Sequence, residues 1–313
     1  MDAHPEPVDA RVSRAAARPS IMALLAAVGS VIRGKADVVR LAAITHLAGG
    51  HLLIEDVPGV GKTTLARALA RAMGGTFSRV QFTSDLLPAD ILGVNVFDPA
   101  TGQFRFRGGP IFCHVLLADE INRTTPRTQS ALLQAMEEDQ VTLDGTTHRL
   151  PQPFLVVATQ NPLEHHGTYP LPESQMDRFL IRISMGYPDR GHEKQLIADQ
   201  VRQHPLDRLE SIFTPADLIH ARQQAQAVTL DDGLLDYLLL LIDRTRAHPD
   251  LSLGASPRAS LALSRAARAA AFIDGRDFVV PDDIKHLAEP VLARRLGPPD
   301  GADDVAPRRD HVR

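Results

Sequence analysis

Nine consecutive residues, Asp56-Val57-Pro58-Gly59-Val60-Gly61-Lys62-Thr63-Thr64, have the types and order that grip phosphate. Glycines at 59 and 61 free the backbone N–H groups of Gly59 to Lys62 to curl around an anion. Lys62 would then reach the β- and γ-phosphates of a nucleotide, and the Thr63 hydroxyl would ligate Mg²⁺. Pro58, Val60 and Thr64 complete the candidate binding loop. The first glycine of the usual Gly-x-x-x-x-Gly-Lys-Thr pattern is replaced here by Asp56. A second run, Val115-Leu116-Leu117-Ala118-Asp119-Glu120, is apolar and ends in two carboxylates. Asp119 is placed to hold Mg²⁺ through water, and Glu120 to polarise a water for attack on the γ-phosphate. A third run, Phe154 to Ala158, ends in Thr159-Gln160-Asn161-Pro162. The Asn161 amide could orient the attacking water, although taken alone the stretch reads as an Asn-Pro turn. No Asn-Lys pair, as a guanine-reading motif requires, occurs in the chain, so ATP is favoured over GTP.

These residues need a strand before each of them and a helix after the first. His51 to Glu55 has strand character, and Lys62 to Met73 repeats Leu65, Leu69 and Met73 at helical spacing. Further strands are expected at 77–81, 112–118, 154–158 and 180–184. Two of these runs do not alternate, as in parallel strands covered on both faces. A helix from Pro126 to Glu138 starts with Thr125 at the N-cap and proline at the first position. The alternation predicts an α/β fold with a parallel sheet flanked by helices. Two hairpins interrupt it, one over 94–107 and one over 140–150 with an Asp144-Gly145 turn. Beyond residue 205 the pattern is helical, with starts at Thr214-Pro215, Asp231, Ser256-Pro257 and Val280-Pro281, the last helix running to Arg295. The organisation expected is a disordered arm over 1–19, an α/β nucleotide-binding domain over 20–204, a small all-α lid domain over 205–296 and a disordered tail over 297–313.

Composition narrows the function. The 313 residues are 44% hydrophobic and 23% charged, an ordinary globular balance. A net charge of −4 provides no global basic field, and aromatics at 4% leave little to stack on bases. Nucleic acid is therefore not the expected partner. No apolar stretch approaches the length of a membrane helix, and the first residues have no signal-peptide core, so a cytoplasmic protein is expected. The single cysteine, Cys113, lies in an apolar run and reads as a buried structural thiol. His165-His166 has no third ligand beside it and reads as a solvated pair rather than a metal site.

The assembled pattern resembles AAA+ ATPases, and its details resemble the MoxR family. The loop from Glu55 to Thr63 matches that family's version, Asp56 included. Gln81 to Gly93, Gly109 to Phe112, Ala118 to Arg123, Ala158 to Pro162, Gly167 to Glu173 and Asp177-Arg178-Phe179 are similar to its other signatures. The likeness covers residues 20–296.

The resemblance implies a P-loop AAA+ core and a helical lid, with ATP and Mg²⁺ bound. Asn161 would be sensor 1. Arg178 would be an arginine finger reaching a neighbouring subunit, with Arg123 as a second candidate. Arg258 would be sensor 2, tying the lid to the γ-phosphate. Ile32 and Gly34 would line the adenine pocket, unless they are only a helix linker. The hairpins would approach a central pore, making Phe104, Arg105, Phe106 and Arg107 candidate client contacts; the alternative is that they pack on their own domain. The implied role is a ring-forming chaperone-like ATPase, expected to be a hexamer. Its partners would be a protein carrying a von Willebrand factor A domain and an unidentified client, matured by metal or cofactor insertion. A nucleic-acid motor and a non-hydrolysing nucleotide-binding subunit are the competing readings.

Overall fold

The computed structural model describes residues 21–162, 167–200, 205–293 and 295–296. The expected arm, the tail and His165-His166 lie outside the described residues. In chain order, helix α1 over residues 21–31 and α2 (Ala36–Leu47) lead into β1 (Leu52–Glu55) and α3 (Lys62–Ala72). Next come β2 (Phe77–Gln81), the short α4 (Pro88–Leu92) and the hairpin β3 (Gly93–Asp98) and β4 (Gln103–Gly108). β5 (Val115–Asp119) and α5 (Pro126–Glu138) precede a second hairpin, β6 (Gln140–Leu143) and β7 (Thr146–Arg149). β8 (Leu155–Gln160), α6 (Glu173–Met176), β9 (Ile181–Ile183) and α7 (Arg190–Gln200) complete the α/β part. After it the described elements are helical, chiefly α8 (Pro215–Gln226), α9 (Asp232–Arg246), α10 (Pro257–Ile273) and α11 (Pro281–Leu292).

The sheet is parallel, in the order β2-β5-β8-β1-β9. Alternate residues of its strands feed two cores. Leu52, Ile54, Val115, Leu117, Leu155 and Val157 join the larger core, which continues through α2 and α3 into α8, α10 and α11. Leu53, Leu116, Ala118, Val156 and Ala158 join the other, beneath α5. Each fully buried Leu, Ile or Val contributes about 1.5–3 kcal/mol, so burial on both faces fixes the register. Pairing of Ile54 with Thr159, Ala118 with Ala158 and Gln81 with Asp119 brings four strands to a common C-terminal edge. Lid and sheet layers are joined by α10 packing on α2, where Arg40 grips both oxygens of Asp274 at 2.8 and 2.9 Å.

Several elements depart from the sequence-based expectation. The apolar run 112–118 is a strand only from Val115; Phe112 and Cys113 turn back on the Gly109 and Ile111 carbonyls. α7 is an additional helix for which the sequence pattern gives no signal. α11 stops at Leu292 rather than near Arg295; Arg295 lies beyond it, and its side chain donates to the Asp177 and Phe179 carbonyls of the α/β layer. Thr125 occupies the N-cap of α5 without a side-chain cap; its hydroxyl meets that of Thr128 at 3.3 Å. Cys113 is buried, and burial pushes its thiol up to about 12, in keeping with a structural role.

Candidate active site

The loop after β1 opens α3 with both glycines in the left-handed region, Gly59 at φ 87° and Gly61 at φ 98°. L side chains rarely adopt that conformation, which explains why glycine stands at both positions. The Lys62 ammonium donates to the Asp56 carbonyl at 2.7 Å and so spans its own loop. Asp56 has a structural purpose that the sequence alone did not reveal. One carboxylate oxygen accepts the Val57 N–H at 2.9 Å; the other accepts the Ser184 hydroxyl at 3.0 Å and the Gly186 N–H at 2.6 Å. The chain leaving β9 is thereby pinned to the root of the loop, a task no glycine could perform.

β8 lies between β5 and β1, so Thr159 to Asn161 emerge between the loop and the paired carboxylates. Asn161 is buried there. Asp119 is also buried; Thr159 donates to its Oδ1 at 2.7 Å, while Arg79 donates to Oδ2 at 2.6 and 3.2 Å. Glu120 is held in the left-handed region at φ 57°, an uncommon conformation for a residue with a side chain, and the Thr159 hydroxyl fixes it by accepting its N–H at 2.9 Å. The Glu120 carboxylate accepts Gln81 at 2.7 Å and Arg123 at 2.9 Å. Arg123 therefore pairs with Glu120 of its own chain while its side chain stays exposed. Thr159, Arg79 and Gln81 are functional neighbours that sequence reasoning missed; strand pairing alone brings them here.

The residues fit a nucleotide with Mg²⁺. The glycine cradle and the N-terminus of the 11-residue helix α3 offer N–H groups and a positive dipole end to phosphate. One hydroxyl and one carboxylate match the few protein ligands Mg²⁺ takes alongside phosphate oxygens and water. Among the described residues no group of three or more His, Cys, Asp or Glu forms a separate metal cluster.

Ile32 is buried in the larger core, and the Gly34-Lys35 linker beside it approaches the chain leaving β9. Lys35 donates to the Tyr187 carbonyl at 2.9 Å, one residue beyond Gly186. A Cβ on Gly34 would meet the His192 ring at 2.6 Å, so α7 closes tightly over this linker.

Arg178 and Arg258 are elsewhere. Arg178 precedes β9, at the opposite end of the parallel strands from the loop that follows β1. Its guanidinium pairs with Glu137, near the C-terminus of α5, at 3.1 Å. Arg258, in the first turn of α10, pairs with the other Glu137 oxygen at 2.6 Å. The structure thus gathers Lys62, Thr63, Asp119, Glu120 and Asn161 at one edge of the sheet and the two arginines at the other.

The hairpins lean on one another. Phe106 stacks on His148 with ring centroids 3.8 Å apart, and Asn95 donates to Asp144 at 2.7 Å. Phe104 remains 70% exposed at the far end of the first hairpin, edge-on to Phe97.

Residues 51–181 match the model of the ATPase family associated with various cellular activities, and residues 243–312 match an AAA lid domain. A protein named Chaperone MoxR1 from Mycobacterium tuberculosis is 42% identical over 275 residues, 85% of this chain and 72% of that protein. The chain belongs to the MoxR family of AAA+ ATPases. Another relative, uncharacterized YeaC from Bacillus subtilis, is 49% identical over 269 residues, 86% of this chain and 84% of its own. The crystal structure of a proposed ATPase from Cytophaga hutchinsonii is 37% identical, with a TM-score of 0.87 over 93% of this chain and 91% of that one. As a MoxR-family AAA+ protein, the chain is an ATPase built on a P-loop core with a helical lid. No helix among the described residues is long and apolar enough to cross a membrane.

Proposed function

We propose that this MoxR-family ATPase works as a homo-oligomeric ring, in which each ATP is held by one subunit and its cleavage assisted by the next. Lys62 and the N–H groups of Gly59 to Lys62 grip the phosphates, with Pro58, Val60 and Thr64 shaping the loop. Mg²⁺, held by Thr63 and through water by Asp119, would neutralise charge on the β- and γ-phosphates. Glu120 takes the proton of the attacking water, and Asn161 orients that water. The observation that carries the ring is the separation just described. Arg178 and Arg258 lie at the opposite sheet edge from their own Lys62, which supports their serving a different subunit's nucleotide. A guanidinium delivered in this way can be worth about 10³-fold or more in rate.

The output of the cycle is remodelling of a protein client, a reading supported by the relative named as a chaperone. A hexamer, a von Willebrand factor A-domain partner and metal or cofactor insertion extend this reading through the family resemblance. The exposed apolar residues Val94, Val96, Phe97 and Phe104 of the first hairpin offer a surface for the client.

The test is ATPase rate per subunit against protein concentration, with mass measured in parallel, for wild type and Arg178→Ala. A rate that rises with assembly, and a variant that assembles yet stays slow, supports shared catalysis. A concentration-independent rate in a monomer, untouched by the substitution, refutes it.

A further inference from the structure

Glu137 sits in the last turn of α5, followed by Glu138 and Asp139. The partial charge at a helix C-terminus favours cations and disfavours carboxylates by about 0.3–1 kcal/mol each, so the helix itself gives no reason for an acid here. The reason lies across the domain boundary. Each Glu137 oxygen receives one guanidinium, Arg178 from the α/β layer at 3.1 Å and Arg258 from the lid at 2.6 Å. A second carboxylate repeats the arrangement alongside: Asp177 accepts the Ser256 hydroxyl of the lid at 2.9 Å and pairs with Arg295 at 2.9 Å. Three guanidiniums thus meet two carboxylates at the junction of lid and sheet. The Nε of Arg178 is buried there without a hydrogen-bond partner.

We propose that Glu137 is a positioning residue: it yokes Arg178 to Arg258, so that the two guanidiniums reach the neighbouring subunit's nucleotide together and only when the lid is docked. One carboxylate cannot neutralise two guanidiniums, and each arginine engages it through a single terminal nitrogen, leaving other N–H donors for phosphate oxygens. Because one partner is on the lid and the other on the sheet layer, a lid that swings away breaks the yoke and splits the pair. The inference rests on the proposed trans-acting arginine.

The experiment uses mixed rings. Lys62→Ala subunits supply arginines but bind no nucleotide; Arg178→Ala subunits bind nucleotide but supply no finger. Neither turns over alone, and their mixture regains activity at mixed interfaces. Glu137→Gln in the Lys62→Ala donor is expected to lower that regained kcat at least about tenfold with KM for ATP unchanged, as a misplaced group does. Placed in the Arg178→Ala receiver, the same substitution must not deepen the defect. Equal loss in both placements, or none in the donor, overturns the yoke. If the parent mixture regains nothing, the trans-acting arginine itself fails and takes the yoke with it, a result readable before Glu137 is touched. Should Glu137→Gln not assemble, Glu137→Asp keeps the charge, shortens the reach by one methylene and must show the same donor-only loss.

Discussion

The hydroxyl of Thr159 donates to the buried carboxylate of Asp119 at 2.7 Å, tying the central strand β8 to β5 beside it. The same oxygen accepts the Glu120 N–H and so holds that residue in its left-handed conformation. One side chain therefore sets both the candidate metal ligand and the candidate base. Thr159→Val preserves the shape and removes both bonds. We expect kcat for ATP to fall about tenfold and KM to stay within about threefold, because the loop that grips phosphate is untouched. Steady-state kinetics decides; an unchanged kcat would leave Thr159 with a packing role alone.

Glu120→Gln and Lys62→Ala should fail differently. Glu120→Gln keeps the shape and the neighbours Gln81 and Arg123 but removes the base, so nucleotide binding persists while steady turnover falls by about 10²-fold or more. Lys62→Ala deletes the phosphate cation and should abolish binding itself. Fluorescent-nucleotide titration beside a phosphate-release assay separates the two. Wild-type turnover by Glu120→Gln would remove the residue from its catalytic assignment.

Arg79 holds the oxygen of Asp119 that faces away from Thr159. A cation seeking that carboxylate must compete with the guanidinium. Arg79→Met should therefore strengthen the dependence of thermal stability on added Mg²⁺ and nucleotide. It should also lower the nucleotide-free protein by about 1 kcal/mol, a modest figure because the arginine is half exposed. Scanning calorimetry with and without the ligands gives both numbers, and an identical ligand-induced shift in variant and wild type rules the competition out.

The parts of this site that were legible in the sequence are those encoded locally. The loop at 56–64 lies between a buried strand and a helix within one short stretch, and Asp119-Glu120 ends its own apolar run. Thr159, Arg79 and Gln81 were illegible as neighbours of these carboxylates, because the pairing of β2 with β5 and of β5 with β8 joins segments far apart in the chain. α7 was missed for another reason. Its sequence, Arg190 to Gln200, is largely polar and shows no apolar stripe. The side-chain contacts of Arg295 with Asp177 and Phe179 are likewise illegible in the sequence, because helix periodicity does not register partners more than a hundred residues away.

Asp56 makes a counterintuitive case. Asp56→Gly restores the more common form of the phosphate loop, yet it deletes the acceptor of Val57, Ser184 and Gly186. Hydrogen bonds to a charged group contribute about 1.5–3 kcal/mol each, so the loop should loosen against β9. The expected outcome is a KM for ATP raised about tenfold together with a lower melting temperature. An Asp56→Gly protein with unaltered nucleotide affinity would mean that the loop is held by β1 and α3 alone.

Stability should decline on the acid side of neutrality through His51. The ring is buried between β8 and α5, with its Nδ1 accepting the Val156 N–H at 3.0 Å and its Nε2 3.0 Å from the Met136 carbonyl. That pattern suits the neutral ring with its proton on Nε2. Burial lowers its pKa from 6.5 to about 4, and burial likewise lowers the neighbouring His46. Between those values the unfolded chain binds a proton that the folded chain refuses. Folding stability is therefore full above about pH 6.5 and falls as pH drops towards 4, by about 3 kcal/mol for His51 alone. His51→Gln can still accept from Val156 and donate to Met136 but does not titrate. Its melting temperature should start lower at pH 7.5 and fall less steeply between pH 6.5 and 4.5. Parallel slopes for variant and wild type across that window would assign the acid sensitivity to other groups.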